Sequence, residues 1–167
     1  MGFFKRNDEK SNSAAGGGGA ENTGSSVLLK ENILMGEKSV DKTVAIEKAG
    51  QLLVNGGYVM PEYINAMQER EKVLTTYIGN GIAIPHGVGA AKNLILKSGI
   101  SIIQYPQGVK FEEGKVAYLV VGIAGKGNEH MQILTNLAEF IQDEDVVKEL
   151  FQTNDKNKIY EAFTTQV

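Results

Sequence analysis

Two histidines and one arginine are the residues of this chain best suited to carry chemistry. His86 follows a proline at the end of "TTYIGNGIAIPHG", residues 75–87, and His130 comes soon after the apolar run "YLVVGIAGKGN", residues 118–128. An imidazole with its ordinary pKa of about 6.5 is mostly neutral at pH 7, so a ring nitrogen can attack phosphorus without a separate activating base. The planar guanidinium of Arg70 can bind a phosphate or a carboxylate through two parallel hydrogen bonds. Together these residue types favour a phosphoryl-transfer site.

Each of the three residues also has a purely structural interpretation. A histidine after a strand can be a hydrogen-bonded turn residue, and His130 can simply cap its helix. Arg70 can form an ion pair with Glu62 or Glu71. Residue spacing alone leaves these alternatives open.

Other kinds of site fit the sequence less well. The stretch "GIAGKG", residues 122–127, resembles the end of a Walker A loop, but glycine follows its lysine where Ser or Thr must hold magnesium. Two histidines far apart in the sequence are too few for a metal centre, and the chain has no cysteine. A serine hydrolase elbow, G-x-S-x-G, does not occur. We therefore expect neither a metal nor a cofactor.

Charge and hydropathy exclude two classes of partner. With 17 basic and 20 acidic residues and a net charge of -3, the chain lacks the concentrated basic face of nucleic-acid-binding proteins. No apolar run approaches the roughly 18 residues needed to cross a bilayer, and the first residues do not form a secretion signal. The sequence predicts a cytoplasmic protein without membrane insertion.

Residues 1–26 differ in composition from the rest of the chain. They are rich in Ser, Asn, Gly and charged residues and include "GGGG" at 16–19, which is typical of a flexible linker. We predict a disordered tail over residues 1–26 and one domain over residues 27–167.

Hydrophobic periodicity in that domain predicts an α/β fold with helices on both faces of a sheet. Near-continuous apolar runs indicate buried strands at Ile82–Ile84, Ile100–Tyr105 and Tyr118–Ala124. Helices are predicted at about Val40–Asn55, from Pro61, and at about Glu129–Gln142, Asp145–Thr153 and Asp155–Phe163, with Asn128, Asp143 and Asp155 as caps. The predicted architecture is a three-layer α/β/α domain with a mixed sheet of about five strands.

These elements predict where the two histidines lie. Pro85 has no N–H for a sheet, so its strand should end there and leave His86 in the loop beyond its carboxyl end. His130 falls in the first turn of a helix that follows another interior strand. Open α/β sheets bind ligands beyond the carboxyl ends of their strands, and a helix N-terminus attracts anions and disfavours an imidazolium. If the second helix packs across the same strand ends, Arg70 joins the site.

The segment "YIGNGIAIPHG" resembles the active-site segment of the mannitol/fructose-type IIA proteins of the bacterial phosphoenolpyruvate-dependent sugar phosphotransferase system. The resemblance extends over about Leu28 to Thr165. The flanking segments "ENILMG", "GGYVMPEYINAMQERE", "QYPQGVKF" and "GIAGKGNEHMQIL" resemble the mannitol branch more than the fructose or nitrogen-regulatory branches.

The resemblance implies that His86 is the phosphorylated residue and that Arg70 and His130 support it. It also implies HPr as the phosphoryl donor, the cysteine of a separate IIB domain as the acceptor, and mannitol uptake as the process served. Because the chain is short and lacks cysteine, we expect a IIA protein that is not fused to IIB. Val88 departs from the mannitol pattern, which often has a hydroxyl residue there, so position 88 is left out of the site.

Two alternatives remain at this point. One is a fructose-type or nitrogen-regulatory IIA protein that controls other proteins through its phosphorylation state. The other is a catalytically silent binding module that keeps the fold.

Overall fold

A computed structural model of the chain describes residues 27–165, so the predicted tail lies outside the described residues. The strands are β1 (Ile33–Leu34), β2 (Tyr77–Gly79), β3 (Ile82–Ala83), β4 (Gly99–Glu112) and β5 (Lys115–Ala124). The α-helices are α1 (Lys42–Asn55), α2 (Tyr63–Val73), α3 (Met131–Phe140), α4 (Glu144–Gln152) and α5 (Lys156–Thr164). Short 3₁₀ helices cover Lys30–Asn32 and Gly89–Leu94.

The five strands form one mixed sheet in the order β1-β4-β5-β3-β2. β4 and β5 form a long antiparallel hairpin, β3 lies parallel to β5, and β1 lies parallel to β4. β2 closes the far edge antiparallel to β3. The carboxyl ends of β3 and β5 therefore meet at the edge of the sheet where β4 begins.

Both faces of the sheet are covered by helices, and the central strands are buried on both sides, with Ser101 and Gln104 as buried polar positions among mostly apolar ones. On one face, α1 and α2 pack over Ile103 and Val120. On the other face, α3, α4 and α5 pack over Ile102 and Val121. This confirms the predicted three-layer α/β/α architecture with its five-stranded mixed sheet.

Three local predictions need correction. The strands β1 and β2 were not predicted, since segments of two and three residues are too short to show periodicity. β4 continues to Glu112, past Pro106, because a register shift between Gln104 and Val109 accommodates the proline. Asn128 does not cap α3: its carbonyl accepts a hydrogen bond from Met131 N–H, and its side chain makes no capping bond.

The other two predicted caps are confirmed. The Asp143 carboxylate accepts hydrogen bonds from the backbone N–H groups of Asp145 and Val146, and Asp155 accepts one from Asn157. Each satisfies donors that the first turn of a helix leaves without partners. Within residues 27–165 no helix combines the length and the apolar character that a membrane span requires.

Candidate active site

His86 lies just beyond the carboxyl end of β3, where the sequence predicts it. Its backbone forms an isolated parallel bridge with Ile123 of β5, and Ile123 N–H donates to the carbonyl of Pro85 at 3.0 Å. The ring is half-buried, and its Nδ1 lies 2.6 Å from the carbonyl oxygen of Ile84. A carbonyl can only accept, so this contact assigns the proton to Nδ1 and leaves a lone pair on Nε2.

Tyr63, at the start of α2, fixes the loop that carries His86. Its hydroxyl donates to the carbonyl of Ile123 at 2.8 Å and accepts from Gly87 N–H at 2.8 Å. The side chain is buried, and burial raises the pKa of the hydroxyl although the bond from Gly87 acts in the opposite direction. The hydroxyl therefore stays protonated and ties β5, α2 and the residue after His86 together.

His130 is the N-cap residue of α3, one residue before the first turn in which it was predicted. Burial lowers the pKa of its ring; the negative charge of Glu129 opposes this shift and the positive charge of Lys92 adds to it. The imidazole is therefore neutral at pH 7. Its Nδ1 is buried and has no hydrogen-bond partner among the described residues.

Gly125 makes room for the His130 ring. A Cβ at position 125 would lie 2.6 Å from the ring Cε1, which is closer than real Cβ atoms approach other atoms. The ring can keep its position only because residue 125 has no side chain.

Both histidines line one cavity of about 210 Å³, so the structure brings the two predicted imidazoles together. It is mostly apolar, as ligand sites generally are, with a few polar groups converging on it. The lining residues are Tyr63, Ile84, His86, Gly87, Lys92, Ile95, Ile123, Gly125, His130 and Leu134.

Arg70 does not line this cavity. It lies in the last turn of α2, and its guanidinium Nη1 donates to the carbonyl of Leu74. It borders a neighbouring cavity of about 550 Å³ together with Val88 and Ala91 of the segment that follows His86. The sequence also suggested an ion pair with Glu71, but that carboxylate bonds Thr76 and Lys42 instead.

Three residues at this site were not predicted from the sequence. Tyr63 was assigned only to the buried stripe of α2, Gly125 was weighed only within the rejected Walker A segment, and Lys92 was not considered. The signal that could have found Tyr63 is its polar hydroxyl on a buried stripe, because such a hydroxyl needs a partner. No comparable signal marks Lys92 or Gly125.

A larger cavity of about 670 Å³ lies between α4 and the strands β2 and β5. Tyr118 and Phe151 stack in its wall with ring centroids 5.0 Å apart. No histidine lines it, so size does not identify the chemical site in this molecule.

Comparison with known proteins identifies the family of the chain. Residues 26–166 match the family model described as "Phosphoenolpyruvate-dependent sugar phosphotransferase system, EIIA 2". The chain belongs to this EIIA type 2 family. The match spans the entire described domain, so the resemblance inferred from the sequence is confirmed.

Relatives of this EIIA domain carry mannitol names. The mannitol-specific phosphotransferase enzyme IIA component of Bacillus subtilis is 46% identical over 82% of this chain and 96% of its own length. The mannitol-specific EIICBA component of Escherichia coli is 47% identical over 78% of this chain. The matched region covers only 21% of that longer protein. The solved complex of enzyme IIAMTL with phosphorylated enzyme IIBMTL from Escherichia coli matches with a TM-score of 0.74 and 46% identity, covering 80% of this chain and 94% of that one.

Replacing Tyr63 with phenylalanine tests how this EIIA domain positions its histidine. The variant leaves the Ile123 carbonyl and the Gly87 N–H without their buried partner. We expect the free energy of unfolding to fall by about 1–3 kcal/mol, the cost of a buried polar group left unpaired. If His86 carries a phosphoryl group, its transfer should slow as well, because the residue after His86 loses its anchor.

Tyr77→Phe is the matched control. The Tyr77 hydroxyl accepts one hydrogen bond, from Gly81 N–H, and does not line the two-histidine cavity. Denaturant unfolding and transfer rates should be measured on both variants. Equal transfer rates in the two would show that Tyr63 does not position His86.

Proposed function

We propose that this protein is a phosphocarrier that accepts a phosphoryl group from HPr on His86 and passes it to the cysteine of a IIB domain, in the service of mannitol uptake. The observation that carries the proposal is the pairing of His86 Nδ1 with the Ile84 carbonyl. That bond leaves Nε2 as the free nucleophile of a ring that shares a cavity with a second, neutral imidazole.

The first transfer needs no base. The Nε2 lone pair forms a bond to phosphorus as the bond between phosphorus and the HPr donor group breaks, and the proton on Nδ1 stays on the ring. The Ile84 carbonyl stabilises the positive charge that this leaves on the imidazole. In the second transfer the thiolate of the IIB cysteine attacks phosphorus, and Nε2 recovers its lone pair.

His130 has a supporting role in this scheme. A neutral imidazole can donate one N–H to a phosphoryl oxygen, and its place at the start of α3 adds the positive potential of the helix N-terminus. Phosphoryl transfer depends mainly on positioning and on stabilising charge at the equatorial oxygens, which such a donor supplies. The unpartnered Nδ1 of His130 supports this role, since buried ring nitrogens are otherwise nearly always bonded.

Mannitol specificity rests on the mannitol names of the similar proteins and on the flanking segments of the sequence. A solved structure of a nitrogen-regulatory IIA protein from Neisseria meningitidis, at 22% identity, shares the fold alone. We propose a cytoplasmic location, since the protein must meet HPr and IIB in one compartment.

The proposal is tested by charging the protein with phosphoenolpyruvate, enzyme I and HPr and measuring its intact mass. We expect the mass of one added phosphoryl group, dependent on HPr and removed when the IIB domain of a mannitol transporter is added. If the protein stays unmodified, it is the catalytically silent binding module. If it accepts the phosphoryl group but passes it only to a fructose IIB domain, it belongs to the fructose branch.

Arg70 is proposed to contact the phosphoryl oxygens from the side of the neighbouring cavity. Its Nη1 bonds Leu74, which leaves the other N–H donors of the guanidinium for an anion. Arg70→Lys keeps the positive charge but loses the planar guanidinium that can form two parallel hydrogen bonds to a phosphate. Transfer from HPr should slow roughly tenfold to a hundredfold, the effect of losing one hydrogen bond to a charged group.

Arg70→Ala, measured beside Arg70→Lys, separates this role from a structural one. If both variants transfer at the wild-type rate while unfolding more easily, the arginine serves only to close the end of α2 through Leu74.

A further inference from the structure

A phosphoryl group on His86 carries negative charge that neither of the two histidines neutralises. The group carries negative charge into a half-buried, mostly apolar cavity, where an unpaired charge is costly. His130 is neutral at pH 7 because its pKa is lowered, and Arg70 borders a different cavity. Arg70 is proposed to reach the phosphoryl oxygens only from that neighbouring cavity, so no cation that lines the two-histidine cavity itself has yet been assigned to the group.

Lys92 is in the right place to supply such a cation. Among the described residues that line the two-histidine cavity, Lys92 has the only permanently cationic side chain, and none of the lining residues is acidic. We propose that Lys92 binds the phosphoryl oxygens on His86 through its Nζ and is a further catalytic residue of the transfer. This inference rests on the proposed function, with His86 as the carrier.

The backbone around Lys92 is held firmly in place. Lys92 lies in the 3₁₀ helix Gly89–Leu94. Three residues of this helix separate Lys92 from Val88, whose backbone is extended. The end of this helix is tied to the loop before α2, where Met60 N–H donates to the carbonyl of Leu94 at 2.8 Å. Ile95 forms a further bridge with Val59. These bonds fix the backbone from which the Lys92 side chain reaches the cavity that it shares with His86.

The side chain of Lys92 is exposed, and within residues 27–165 it makes no ion pair. Glu129, which precedes His130 in the chain, accepts a hydrogen bond from the hydroxyl of Ser98 at 3.1 Å. The positive charge of Lys92 is nevertheless felt in the site, because it contributes to lowering the pKa of His130. The ammonium is thus near the second imidazole and free to bind an anion.

A lysine suits a group that moves during the reaction. Its ammonium is a compact charge with three donors on a flexible stem, so it can follow the phosphoryl oxygens as phosphorus passes to Nε2 and then away from it. Lys92 exchanges no atom with the substrate. Its contribution is charge stabilisation where charge develops.

The test compares Lys92→Gln with Lys92→Arg and with Lys38→Gln as a control. Lys38→Gln removes the same charge far from the two-histidine cavity. The neighbouring Ser39 donates a hydrogen bond to the carbonyl of Gly108, which lies toward the other end of β4. Single-turnover transfer should be followed at saturating phospho-HPr. We expect Lys92→Gln to be slower by roughly tenfold to a hundredfold, while Lys92→Arg keeps most of the rate and Lys38→Gln keeps all of it.

A second measurement distinguishes phosphoryl binding from docking of HPr. If Lys92 contacts the phosphoryl group, Lys92→Gln stays slower than the wild type even at saturating phospho-HPr. If Lys92 contacts only HPr, the phospho-HPr concentration that gives half the maximal rate rises while the maximal rate is unchanged, and this result would overturn the inference. In NMR titrations the pKa of His130 should rise in Lys92→Gln and not in Lys38→Gln.

Two different results would overturn the role of Lys92 and the role of His86. Wild-type transfer rates in Lys92→Gln, with normal labelling of His86, would overturn the role of Lys92 alone. A wild-type protein that never carries phosphate on His86 would overturn the proposed function and this inference together.

Discussion

His86→Ala is expected to lose all acceptance of a phosphoryl group from HPr. Tyr63, Lys92 and His130 also line the cavity, but the Tyr63 hydroxyl is hydrogen-bonded on both sides and neither Lys92 nor His130 occupies the loop position of His86. The fold should survive, because residue 86 is joined to β5 through backbone groups. Only the Ile84 contact is lost, at a cost of about 0.5–1.5 kcal/mol.

The loss should be measured as incorporation of radiolabelled phosphate from phosphoenolpyruvate, with thermal unfolding as the check on folding. His130→Ala is the matched control and should still become labelled, more slowly. Stoichiometric labelling of His86→Ala would mean that another residue carries the phosphoryl group.

Gly125→Ala is expected to slow transfer by about a hundredfold or more, the range reported for removing one preorganised donor. The added methyl group would overlap the His130 ring, so the imidazole must leave its place beside the cavity. The rest of the fold has little reason to change, since the displaced atoms belong to one half-buried side chain.

A double-mutant cycle shows whether the effect passes through the imidazole. In Gly125→Ala/His130→Ala the methyl group has no ring to displace, so the double variant should transfer at the rate of His130→Ala alone. Wild-type rates in Gly125→Ala would show that the ring has another productive position, and a double variant far slower than His130→Ala would assign Gly125 a separate role.

The fold was largely predictable because its long elements have strong patterns. The apolar run at 118–124 and the periodic positions Ala45, Ala49 and Leu53 specify a buried strand and the helix that covers it. Pro85 marks the end of β3, since proline cannot donate to the sheet. These local signals were sufficient to place His86 and His130 at the same edge of the sheet.

Side-chain direction was not predictable in the same way. Arg70 has the expected position on α2, but the guanidinium bonds the carbonyl of Leu74, a contact set by how the chain leaves the helix. Lys92 lies in a 3₁₀ helix whose course depends on bonds to the loop before α2, and such long-range contacts leave no local pattern. The vacant side-chain position at Gly125 matters only once the His130 ring packs over it.

The decisive measurement is which ring nitrogen of which histidine carries the phosphorus. The protein should be labelled uniformly with ¹⁵N, charged through HPr, and examined by NMR experiments that correlate the ring nitrogens of each histidine with phosphorus. The bond from His86 Nδ1 to the Ile84 carbonyl predicts phosphorus on Nε2 of His86, with the proton retained on Nδ1. Phosphorus on His86 Nδ1, or on either nitrogen of His130, would contradict it.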